Sequence, residues 1–142
     1  MDLYDQLHSV EHLMAFGHLG EAINRLENLS REHPENYFVC SMLGECYLHS
    51  GKPELAVRPL EWATRMFSER DLNYRSKKPP KGERVMIERL RDYFSEQDIW
   101  FDHYLLGCAY ARLTKFRHAM RHLNIANEIY PDNTEILRNM GW

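Results

Sequence analysis

The 142-residue chain is expected to fold as an all-α solenoid of three helix pairs, with an inserted helix and a short C-terminal capping helix. Three observations predict this. Leu43, Gly44, Tyr47, Ala56, Leu60 and Ala63 recur, type for type, as Leu106, Gly107, Tyr110, Ala119, Leu123 and Ala126. A weaker copy, Leu13, Ala22, Leu26 and Leu29, stands 34 residues before the first set. Glycines and prolines punctuate the chain at matching places in these copies, where helices would end or begin.

Aligning the copies divides one domain, residues 1–142, into units 3–36, 37–70 and 100–133, separated by an insertion at 71–99. In units two and three, the glycine and tyrosine three residues apart fall on one face of a first helix. Gly44 and Gly107 have no Cβ, so a partner helix can approach closely, and Tyr47 and Tyr110 fill the space beside them. Ala56/Leu60/Ala63 and Ala119/Leu123/Ala126 have the four-and-three spacing of a second helix packing on the first. Ala22/Leu26/Leu29 repeats that spacing in unit one, but Val10 stands where the glycines stand and Ser9 precedes it. The first helix pair is therefore expected to sit wider.

Helix ends agree with this division. Gly17 and Gly51 can adopt the left-handed conformation that closes a first helix, a place Thr114 takes in unit three. Pro53 suits a first helical turn, and Pro34 and Pro131 terminate second helices. Asn36 and Asp98 are expected N-caps. Asp132 and Glu135 have the spacing of a capping box, opening a short helix with Ile136, Leu137 and Met140. Residues 134–142 thus read as a cap or a partial fourth unit.

The insertion begins with an extension of the preceding helix to about Tyr74. A basic loop follows, Arg75–Arg84, with five basic residues and one acid. Pro79-Pro80 blocks an ordinary helix there. From Glu83 to Glu96, Ile87, Leu90 and Phe94 form an amphipathic stripe that predicts an added helix.

A 34-residue period of helix pairs with this residue pattern resembles the tetratricopeptide repeat family over about 100 of the 142 residues. The resemblance implies a concave surface lined by the first helix of each pair. Carried onto this chain, it places Tyr4, Leu7, Glu11, Met14 and Ala15 there from unit one. Unit two would supply Phe38, Ser41, Glu45, Leu48 and His49, and unit three Phe101, Tyr104, Cys108, Ala111 and Arg112. Some family members hold a partner's terminal carboxylate with lysine, asparagine and arginine. Here the matching places carry Leu7, Glu11, Phe38, Met42, Tyr104 and Leu105, so that clamp is absent, and Glu11 and Glu45 favour a basic or neutral segment.

The expected function is therefore a protein-binding adaptor or scaffold that captures an apolar or basic polypeptide segment. The alternatives are self-association through the insertion helix or the Trp142 end, and a small client-specific chaperone. A net charge of −3 argues against a nucleic-acid partner, and no apolar run approaches a membrane span. The first residues lack the basic and apolar regions of a secretory signal. Cys40, Cys46 and Cys108 have no metal-ligand spacing and read as reduced thiols, consistent with a cytoplasmic location.

Catalytic readings are weak. His118 and His122, four apart, permit a two-ligand metal geometry but read as a solvated pair, and His8 and His12 share the spacing. Glu45, His49 and Cys108 would need to share a closed pocket to form a thiol–imidazole site. No phosphate cradle or serine elbow is present, so no enzyme, cofactor or metal is expected.

Overall fold

The structure, a computed structural model, describes residues 2–76 and 99–141, with side chains over 2–65 and 100–141. The described residues form seven helices: α1 Leu3–Ala15, α2 Leu19–Glu32, α3 Tyr37–His49, α4 Pro53–Ser76, α5 Ile99–Arg112, α6 Phe116–Ile129 and α7 Thr134–Asn139. The predicted helix at 83–96, most of the basic loop and the Asp98 cap lie outside the described residues. So does Trp142.

Each helix packs on the next, and the first helices also touch one another, α1 on α3 and α3 on α5. This near-neighbour stacking is what a solenoid requires. The pattern does not break at the insertion, because α4 packs directly on α5. Tyr47 joins the two halves of the core, packing against the apolar cluster of units one and two and against that of units two and three.

Glycine sets the closeness of the helix pairs. A Cβ on Gly44 would overlap Leu60 Cγ and lie 2.7 Å from its Cδ2. One on Gly107 would lie 2.7 Å from Leu123 Cγ and 3.3 Å from the Ala119 carbonyl oxygen. Leu60 and Leu123 fill those glycine gaps completely, both at 0% exposure. In unit one Val10 occupies the equivalent place, and α1 and α2 share far less contact than the other two pairs. A cavity of about 460 Å³ opens there, flanked by Ser9, Val10, Arg25 and Leu29. The sparser packing of the first pair thus coincides with the unit that lacks the glycine.

The first helices close alike. Phe16, Ser50 and Leu113 are followed by residues with positive φ: Gly17 at 79°, Gly51 at 76° and Thr114 at 60°. In each case two backbone bonds reach back, as from Gly51 to the Leu48 carbonyl (3.1 Å) and from Lys52 to the Tyr47 carbonyl (2.9 Å). Threonine thus holds a conformation that its Cβ opposes.

Asn36 caps α3, its Oδ1 accepting from the Phe38 and Val39 amides. Asn133, not Asp132, caps α7 in the same way, accepting from Glu135 and Ile136. Asp132 is instead in the left-handed turn before it, with φ 61°. The cap moves by one residue, which puts Ile136 at the third helical position, so the expected box of Asp132 and Glu135 is replaced by a simple asparagine cap. Helix α7 stops at Asn139, and Gly141 has φ 88°, so Met140-Gly141 does not continue a helix as Leu43-Gly44 does. Ile136 is fully buried, seating α7 against α6. Helix α4 runs through Pro59, a residue that interrupts the backbone ladder. Burial of Ala56, Leu60 and Ala63 on either side outweighs the lost bond.

Candidate protein-binding groove

The first helices create a cleft of about 470 Å³. Helix α1 contributes Glu11, Met14 and Ala15, α3 contributes Glu45 and His49, and α5 contributes Trp100 and Phe101. All three units therefore border one cavity. Its apolar surface comes from methionines and aromatic rings, its charge from carboxylates. Trp100 and Phe101 meet edge to face, centroids 5.4 Å apart, and Trp100 also packs beside Tyr104 and Tyr130.

Glu45 and His49 lie one turn apart, with Oε1 and Nε2 separated by 3.6 Å. Burial raises the Glu45 pKa above the usual carboxylate value; His49 opposes the rise and Glu11 adds to it. Two carboxylates from neighbouring units thus influence one another across the cleft.

Asp102, which sequence reasoning passed over, forms part of the wall. It is only 2% exposed and accepts hydrogen bonds from the Tyr37 hydroxyl and from the Ser41 hydroxyl, the latter at 2.5 Å. These bonds tie α5 to α3 more than sixty positions earlier, and local spacing gives no sign of them. Trp100 was also missed, although it begins its unit as Tyr37 begins the one before.

The residues predicted to share one surface separate into three groups. Glu11, Glu45, His49 and Phe101 border the cleft, as does the Ser41–Asp102 pair. Leu7 and Phe38 do not serve as groove residues: they are 2% and 7% exposed and belong to the core. Tyr4 packs against that core and stacks over His8. Helix α3 is enclosed on several sides, so its front edge faces protein. Its nearly unbroken apolar run, YFVCSMLG, was the available signal that it has no broad solvent face.

Tyr104, Cys108 and Arg112 form the third group, outside the cleft. The Asn139 side-chain amide of α7 donates to the Tyr104 hydroxyl at 3.4 Å, and the Cys108 thiol donates to Asn139 Oδ1 at 3.7 Å. Arg112 donates to the Leu48 carbonyl at 2.9 Å, bracing α5 against α3. Cys108 is therefore not grouped with Glu45 and His49. Burial raises its thiol pKa, and burial likewise pushes Cys40 up to about 11 and Cys46 up to about 12.

Away from the cleft, the expectation of a solvated histidine pair needs correction. His118 is exposed and stacks on Tyr110, but His122 is buried and faces His103, Nδ1 to Nδ1, at 3.1 Å. The other His122 nitrogen lies 3.4 Å from Glu61, which also accepts from the Tyr110 hydroxyl at 2.7 Å. One arrangement of protons satisfies the chain: His103 donates to His122, and His122 donates to Glu61. The Tyr110–Glu61 bond has a counterpart one unit earlier, where the Tyr47 hydroxyl donates to Glu27 at 2.9 Å. Both tyrosines thus fasten their unit to the second helix of the unit before.

Among the described residues, no group of three or more side chains is arranged to hold a metal ion, and no helix is long and apolar enough to cross a membrane. A family of unknown function, DUF6584, matches residues 1–59, covering α1 to α3 and the start of α4. No curated protein matches the chain in sequence. The chain is similar to a solved structure of the MamA D159K mutant, with a TM-score of 0.71 and 19% sequence identity. The similarity covers 99% of this chain and 64% of the MamA chain. The likeness and the helix order establish an all-α, tetratricopeptide-like solenoid.

Proposed function

We propose that this chain is a divergent tetratricopeptide-repeat protein that acts without chemistry, as an adaptor or scaffold holding a polypeptide against its first helices. The single observation that carries this reading is the cleft bordered by all three units. A surface assembled from successive repeats suits an extended or helical segment better than a small molecule. The fold supports a protein-binding scaffold in general. Apolar walls would supply most of the affinity and the carboxylates would set register. Three unpaired thiols fit work in a reducing compartment such as the cytoplasm.

The test is a comparative capture experiment. Ala15 borders the cleft but is itself exposed, so Ala15→Trp should obstruct the cavity without disturbing the core. A specific protein retained by the unaltered chain should be lost from this variant while thermal unfolding stays unchanged. Equal retention by both would refute the groove reading.

A further inference from the structure

The cleft has a chemical preference as well as a shape, an inference that rests on the groove reading above. Glu11 from α1 and Glu45 from α3 border it, and Asp102 lies in its wall. No lysine or arginine is among the described residues that border it, and His49 is the one basic side chain among them. Asp102 already accepts from Tyr37 and Ser41, so its charge is partly satisfied. Glu45 is different: its side chain is 26% exposed, and its described partner is a histidine whose charge depends on protonation. The same cleft is bordered by Trp100 and Phe101, aromatic rings of the kind whose faces attract cations.

We propose that the cleft seats one lysine or arginine side chain of its polypeptide partner, with the cation between the Glu11 and Glu45 carboxylates and its stem along Trp100 and Phe101. An acidic segment would add like charge to a partly dehydrated site. A wholly apolar one would bury Glu45 further without a counter-ion. A basic side chain offsets both costs, since its methylenes cover the rings while its head meets the carboxylates. The volume of about 470 Å³ accommodates such a side chain together with adjoining backbone.

Random peptides displayed on phage, selected against the 142-residue chain and then against Ala15→Trp, provide the probe. Sequences enriched on the unaltered chain and lost on Ala15→Trp should share a lysine or arginine. Synthetic copies with that residue changed to glutamine should bind about tenfold more weakly or worse. The same change should matter little to Glu45→Gln. Exposed Glu11→Gln provides a second variant, and unfolding curves verify that both remain folded.

Cleft-dependent peptides without a shared basic residue would overturn the cation proposal and leave the groove reading standing. So would a lysine-to-glutamine effect that is equal on the unaltered chain and Glu45→Gln. If no enriched peptide is lost on Ala15→Trp, both readings fail.

Discussion

Replacing Gly44 by alanine tests the packing that governs the scaffold. In an unconstrained helix this change is favourable by about 1 kcal/mol, because alanine restricts the unfolded chain more than glycine does. Here the new methyl would overlap Leu60 at Cγ, the branch point of a fully buried side chain, rather than at a tip that can swing aside. Forcing an extra methyl into a filled core costs about 1–3 kcal/mol. With the clash at the upper end of that range, the net expectation is a loss of about 1–2 kcal/mol. Urea denaturation followed by far-UV circular dichroism would read it. A double-mutant cycle with Leu60→Ala makes the measurement specific. Leu60→Ala alone should cost about 2–5 kcal/mol by opening a cavity, and the methyl introduced by Gly44→Ala should then occupy part of that space. The two changes together should therefore cost less than their sum by about 2 kcal/mol. Unchanged stability in Gly44→Ala, or strict additivity in the cycle, would refute the claim that this glycine exists to admit this leucine.

The histidine chain predicts sensitivity to acid. Burial first, and then its neighbour His122, push the His103 pKa down to about 4 from 6.5, and His122 is also lowered. The unfolded chain consequently binds more protons below about pH 6.5, so this contribution is complete above that pH and declines as pH falls toward 4. A loss on the order of 2–3 kcal/mol is expected over that window, and His103→Leu should flatten the stability-against-pH curve. Parallel curves for the two proteins would contradict it. Thr114→Gly should act in the opposite sense to Gly44→Ala. Removing Cβ at a φ of 60° should raise stability by about 1 kcal/mol, visible as a higher midpoint in the same urea titration. A lower midpoint would show that Thr114 is held there by interactions worth more than the strain.

Features that act within one helix pair were legible in the sequence. Gly44 with Leu60 and Gly107 with Leu123 are such features, because the helical period places each pair in register. The closing residues Gly17 and Gly51 are another, since a turn of positive φ selects glycine locally. Val10 even announced the looser first pair. Contacts between units were much less visible. Nothing near Asp102 points to Ser41 or Tyr37, and the His103–His122–Glu61 chain draws on three helices. The groove assignment divided for a related reason. Position along a first helix shows which way a residue points, but the neighbours decide whether solvent or protein lies there. Leu7 and Phe38 met protein; Glu11, Glu45 and Phe101 met the cleft. The tyrosine clasps repeat with the units, as Glu27 with Tyr47 and Glu61 with Tyr110, yet a surface glutamate carries no sign of its bond.

The direct seating of α4 on α5 has a consequence for how the two halves of the stack stay aligned. Units two and three are held in register by side chains, including the Tyr110–Glu61 bond, and not only by the peptide linkage that runs through residues 77–98. The alignment of units two and three is therefore carried by the facing surfaces of α4 and α5, and changes on either surface should be felt as a shift of one half of the stack against the other.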